Sequence, residues 1–185
     1  MKKYLFILLL LASFNSFSQS RNNLSALVGV NYTSVSSVNS SNPDGIFGVN
    51  VGAAYKIYLD DLGWFVKPGI SFSQEGYQLQ RLNYLNLPVT LGFDFTDDFN
   101  THIGFQYGYL VGGLNDPQEI FHRSNMAFIV GFEFYATEYL EVGLRFSNGV
   151  KNLVKQPDAI VIDDARTYAI QFYFGVNLNR LKKQK

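Results

Sequence analysis

The chain has 185 residues, with 15 basic and 15 acidic side chains, no cysteine, and charged and aromatic residues at 16% each. A balanced charge without a basic block excludes a nucleic-acid binder, and the lack of cysteine excludes disulfides, thiol nucleophiles and lipoprotein acylation. Ordinary soluble proteins carry about 25% charged residues, so this chain has too few charges to clothe a surface that faces water everywhere.

The chain begins MKKYLFILLLLASFNSFSQS. Lys2 and Lys3 form a basic start, Tyr4 to Ala12 an apolar stretch, and Ser16 and Ser18 the small residues that a signal peptidase reads. The apolar stretch falls short of the ~20 residues a spanning helix needs. The expectation is a signal peptide over residues 1–18, cleaved after Ser18, and one domain over 19–185. Loss of Lys2 and Lys3 leaves 13 basic against 15 acidic residues, a mature charge near −2. No later stretch is apolar enough for a membrane helix. An exported, oily, charge-poor chain then satisfies its backbone in a bilayer only as a closed β-barrel.

Eight strands follow from the two-residue alternation of apolar side chains. Strand one, about Leu24 to Ser34, places Ala26, Val28, Val30 and Tyr32 on one face. Strand two, about Ile46 to Leu59, is apolar at every odd position from Phe47 to Leu59. Strand three, about Trp64 to Ser73, presents Trp64, Val66, Ile70 and Phe72. Strand four, Leu82 to Phe95, has the clearest alternation, with Leu85, Leu87, Val89, Leu91, Phe93 and Phe95 against Tyr84, Asn86, Pro88, Thr90, Gly92 and Asp94. Strand five, Phe99 to Gly112, and strand six, Asn125 to Tyr135, alternate in the same way. Strand seven, Tyr139 to Ser147, and strand eight, Arg166 to Leu178, complete the set. Each reaches or exceeds the roughly 9–11 residues of a tilted membrane strand. The fold class is therefore all-β: an eight-stranded antiparallel up-and-down transmembrane barrel of outer-membrane type.

The connections alternate in length. Asp60 to Gly63, Thr96 to Asp98 and Ala136 to Glu138 are tight, whereas 36–45, 74–81, 113–124 and 148–165 are longer. In outer-membrane barrels the tight turns are periplasmic, which places both termini in the periplasm. Tyr55, Trp64, Phe95, Phe99 and Phe134 then read as the inner aromatic girdle, and Tyr32, Phe72, Tyr109, Phe146 and Tyr168 as the outer one. Twelve glycines, at 29, 48, 52, 69, 92, 104, 108, 112, 131, 143, 149 and 175, all fall on the non-oily face. Small residues inside relieve crowding in a narrow barrel. A lipocalin-like soluble barrel needs the reverse, oily inside and charged outside.

The inward face carries Lys56, Lys67, Asp94, Glu133, Glu141 and Arg145, with His102 near the same end. Buried charges are costly unless paired, so a structural network is expected in which each finds an opposite partner and plugs the lumen. The competing reading is a gated path for protons or small ions. Pro68 and Pro88 come within about a residue of each other in neighbouring strands, and neither can donate to the ladder. A bulge or a thin seam is expected there. His122 with Asp116, Glu119 and Ser124 has the residue types of a hydrolase, but on one loop without a supporting motif they read as a polar surface. Asp158, Asp163 and Asp164 match no calcium-loop spacing. No catalytic, metal or cofactor site is expected.

Three segments carry a family resemblance. Tyr84-Leu85-Asn86-Leu87-Pro88-Val89-Thr90-Leu91 resembles the YLxIPL strand of the PorT-like outer-membrane β-barrel family. Lys67 to Ser73 is similar to that family's QPGLxYS strand, with Lys67 in place of Gln. Gly143-Leu144-Arg145-Phe146 with Asn148 to Leu153 resembles GxRYxxGLxNI. The resemblance implies a small outer-membrane barrel; some members are linked to protein secretion. The expected function is a non-enzymatic scaffold or binding protein, acting through extracellular loops or as an accessory of an envelope or secretion assembly. The alternatives are a narrow transporter or pore and, more remotely, an outer-membrane enzyme. The expected partners are outer-membrane lipid and a protein at the loops or at the basic tail Arg180 to Lys185, with the barrel itself monomeric.

Overall fold

A strand whose side chains alternate oily and polar has two incompatible faces, and a cylinder separates them. A computed structural model of the chain describes residues 22–36, 44–78, 80–113, 122–150 and 166–181. Its strands are β1 (Asn23–Ser36), β2 (Ile46–Tyr58), β3 (Trp64–Tyr77), β4 (Gln80–Asp94), β5 (Phe99–Gly113), β6 (Ser124–Tyr135), β7 (Leu140–Gly149) and β8 (Arg166–Asn177). Each pairs antiparallel with the next, and β8 pairs with β1, so the barrel is closed and no edge is left. A four-residue helix, α1 (Leu178–Leu181), follows β8.

The oily face is outside. Leu87, Val89 and Leu91 are 45%, 53% and 43% exposed, while Lys56 and Glu133 are 2% and 1% exposed. The soluble-barrel arrangement is thus excluded by orientation. None of the twelve strand glycines is exposed. On the outer wall a run of rings, Trp64, Phe93, Phe95, Phe99 and Phe132, links neighbour to neighbour at centroid distances of 5.1, 5.2, 6.2 and 6.4 Å beside the tight turns. Among the described residues no helix is long and apolar enough to cross a membrane; the crossing elements are strands.

Directly opposed residues trace the wall from Tyr58 through Phe65, Gly92, His102, Gly131, Arg145, Gln171 and Asn31 to Gly48. The path leaves β2 at Tyr58 and returns to it ten residues away, at Gly48. That stagger tilts the strands and sets a narrow bore. The bore is filled by setting large side chains opposite glycine. A Cβ on Gly131 would strike the His102 ring, one on Gly143 the Tyr173 ring, and one on Gly92 the Phe65 ring. Each of these is a directly opposed pair.

One expectation needs correction, and a choice between two others is decided. Residues 74–81 are not a long loop: β3 continues to Tyr77 and β4 begins at Gln80, so the β3–β4 hairpin is paired almost to its tip. It is also held by the Gly45–Tyr77 bridge and by Gln78 N–H donating to Asp44 O at 3.0 Å. The choice concerns the prolines, where a bulge or a thin seam is expected. Pro68 lies opposite Val89, next to Pro88, but no residue is inserted there. The β3–β4 ladder skips two positions and resumes at Ser71–Asn86 in unchanged register, and the β2–β3 ladder skips two between Ala54–Gly69 and Ile57–Val66. Proline removes a donor while its fixed φ suits an extended strand, so the seam is thinned, not bulged. The register shift falls instead between β4 and β5, at Asn83/Tyr84, where Val111 is the extra residue.

Candidate functional site

The lumen holds the charged residues, and the strand register decides which of them meet. Lys56, from β2, donates to Asp94 Oδ1 at 2.6 Å and to Tyr135 Oη at 3.1 Å. Tyr58 Oη donates to Asp94 Oδ2 at 2.7 Å. The ammonium also lies 4.0 Å from the Phe65 ring centre and 4.9 and 5.1 Å from those of Tyr58 and Tyr135. Each desolvated cation–ring contact contributes on the order of 1–2 kcal/mol. Lys56 is therefore enclosed by one carboxylate and three rings.

The second cluster lies around Lys67, from β3. Its ammonium donates to Glu133 Oε1 at 2.6 Å and to Glu141 Oε1 at 3.3 Å. Tyr173 Oη donates to Glu133 Oε1 at 2.5 Å. One cation thus serves two carboxylates, and a hydroxyl from β8 shares the load. Glycine makes this possible, because a Cβ on Gly175 would run into the Glu141 carboxylate.

Arg145 departs from the expected scheme of universal pairing. Among the described residues it forms no ion pair within 4 Å. Its guanidinium carbon instead lies 5.1 Å from the Tyr173 ring centre. The register explains this: Arg145 faces Gly131 on one side and Gln171 on the other, and neither is an acid. His102 is buried, and among the described residues neither of its ring nitrogens has a hydrogen-bond partner. It fills the space over Gly131.

Two features were missing from the sequence reading. The first is a cavity of about 800 Å³ at the tight-turn end, lined among others by Asp61, Asp97, Asp98 and Glu138. Tyr58, Asp94 and Tyr135 also line it, and these are the groups that hold Lys56. The second is Glu75, buried in the upper lumen, where Asn86 Nδ2 donates to its Oε1 at 3.0 Å. Continuing the alternation Ser71, Ser73, Glu75, Tyr77 past Ser73 would have placed it inside; ending the strand there concealed it.

Asp116, Glu119, Asp158, Asp163 and Asp164 lie outside the described residues. His122 and Ser124 flank the start of β6, at the long-loop end and away from the lumen charges. Among the described residues no three His, Cys, Asp or Glu side chains group as metal ligands. The arrangement as a whole is a packed polar core with a shallow acidic mouth.

Comparison with known proteins gives one family and several folds. The sequence profile described as "Outer membrane protein beta-barrel domain" matches residues 5–179. Neisserial surface protein A (NspA) is 11% identical, with a TM-score of 0.57 over 84% of this chain and 97% of that one. Ail, the attachment invasion locus protein of Yersinia pestis, was solved in complex with the heparin analogue sucrose octasulfate. It is 13% identical, with a TM-score of 0.53 over 84% of this chain and 99% of that one. At such identities the likeness is one of fold. No curated protein sequence matches at a significant level.

Proposed function

The chain belongs to the outer membrane protein β-barrel domain family, and on that premise we propose that it is a non-enzymatic scaffold or binding protein of the bacterial outer membrane. It works through its long loops, or as an accessory of an envelope or secretion assembly. The observation that carries this reading is the filled bore. Lys56, Phe65, Lys67, His102, Glu133 and Tyr173 are all buried inside the cylinder, and an eight-stranded bore has room for side chains but not for an aqueous channel. The wall faces lipid, so recognition falls to the two ends. The six lumen charges, Lys56, Lys67, Asp94, Glu133, Glu141 and Arg145, are assigned a structural role. The PorT-like segments support a finer placement near protein secretion. Residues 1–18 act as a cleaved signal peptide, and both termini lie in the periplasm.

The absence of native cysteine makes the test direct. Single cysteines at Ser40 and Lys155, in the first and last long loops, are expected to react with an impermeant maleimide on intact cells. A photocrosslinker at the same positions is expected to capture one recurrent protein. Protection of both cysteines in intact cells would overturn the orientation. Absence of any crosslink, together with steady single-channel current in a planar bilayer, would overturn the scaffold reading in favour of a pore.

A further inference from the structure

The upper lumen contains a carboxylate that the protein does not neutralise. Glu75 is 5% exposed, and the side chains buried at that end of the barrel include Val35, Tyr77, Leu82, Tyr84 and Leu110. Glu75 faces Leu82 directly across the β3–β4 ladder. Among the described residues no Lys, Arg or His pairs with it. Among the described residues its hydrogen-bond partners are both donors: Asn86 Nδ2 at 3.0 Å and the Ser73 hydroxyl. Two donated hydrogen bonds favour the ionised carboxylate, yet a lone buried anion is costly without a countercharge.

Around it stand oxygens with unused capacity. The Tyr84 hydroxyl is fully buried and, among the described residues, has no hydrogen-bond partner. Tyr84 faces Ser73 across the ladder. Asn31 Nδ2 donates to Ser73 Oγ at 3.1 Å and to Gln74 O at 2.8 Å, and among the described residues Asn31 Oδ1 is buried without a partner. The donors are thus one carboxylate and neutral oxygens, with no imidazole or thiolate. That set suits hard cations of the alkali and alkaline-earth kind, not transition metals.

We propose that Glu75, with Tyr84, Asn31 and Ser73, binds a small hard metal cation in the upper lumen. The cation fastens the β3–β4 hairpin to the wall through β1, because Asn31 belongs to β1 and the other ligands to the hairpin. A ligand that binds only the folded state shifts the folding equilibrium by mass action, about 100-fold at 100 times its dissociation constant.

The experiment follows the unfolding of the refolded barrel in detergent. Calcium, magnesium and sodium chlorides are titrated at constant ionic strength and fixed pH, with a chelator as control. One of the cations is expected to shift the folding equilibrium in proportion to one plus the ratio of its concentration to its dissociation constant, about 100-fold at 100 times that constant. The shift is expected to vanish in Glu75→Gln, which removes the charge and keeps one amide oxygen to accept from Asn86, and to persist in Asp97→Asn/Asp98→Asn at the acidic mouth. Tyr84→Phe is expected to need more cation for the same shift, a readout independent of whether Glu75→Gln folds. Terbium emission sensitised by tyrosine is expected to fall in both variants. A metal response unchanged by Glu75→Gln, or a stability that follows pH and no metal, overturns the proposal; the latter outcome would make the countercharge a proton.

Discussion

At the scale of single residues, the lumen works by allotting space and charge across strands. Lys67 holds both Glu133 and Glu141, so the two ends of that contact are not equivalent. Removing one partner of a buried pair typically costs about 3–5 kcal/mol. Lys67→Met is expected to reach or exceed that range because it strands two carboxylates, whereas Glu141→Gln, which leaves the shorter Glu133 contact intact, is expected to cost less. Urea unfolding of the refolded barrel measures both. Space follows the same logic. Gly131→Ala forces a methyl against the His102 ring, and overpacking of this kind costs about 1–3 kcal/mol. The double variant His102→Ala/Gly131→Ala is expected to be more stable than the sum of its two single changes. Simple additivity in that double-mutant cycle would show that the ring and the glycine do not share one space.

At the scale of elements, the tight turns are closed by their own side chains. Asp60 Oδ1 accepts from the backbone N–H groups of Leu62, Gly63 and Trp64 at 3.1, 3.1 and 2.9 Å. Thr96 Oγ1 accepts from Asp98 N–H, and Thr137 Oγ1 from Tyr139 and Leu140 N–H. Gly63, at φ 108°, takes the left-handed bend at the end of the first turn. Asp60→Ala leaves three donors to water and is expected to cost on the order of 1 kcal/mol. The matching observation is faster amide exchange confined to residues 60–64. Protection unchanged in that segment would mean that the strands, and not the aspartate, shape the turn. The β3–β4 hairpin is the element least legible beforehand. Polar Gln74, Glu75, Gln78 and Gln80 look like a loop, but the strands continue through them, and Glu75, Gly76 and Tyr77 are buried in succession, so both faces of the extension are covered.

At the scale of the whole molecule, two solvents meet across one wall. Leu87 sits at the centre of β4 with its side chain outward. Arginine at the lipid-facing midplane costs roughly 2–4 kcal/mol, falling to about 0–1 near the interface. Leu87→Arg is accordingly expected to destabilise the barrel in lipid far more than Trp64→Arg beside the tight turns. Equal costs at the two positions would contradict the membrane placement. The same wall implies silence in a planar bilayer, since the bore is occupied, and neutralising Glu133 or Glu141 is expected to open no conductance.

Class, strand number, facing and the position of the tight turns could be read from the chain alone. A two-residue period and a shortage of charge are local properties, and only a closed cylinder in lipid reconciles them. Ala26 through Leu178 declare their side of the wall without reference to any other strand. Partnership is different in kind. Whether Lys56 meets Asp94 or Glu133, whether Arg145 meets an acid at all, and whether Glu75 is covered depend on the ten-residue stagger around the barrel and on the one extra residue at Val111. Those are sums over all eight strand pairings, and no single stretch of sequence contains them.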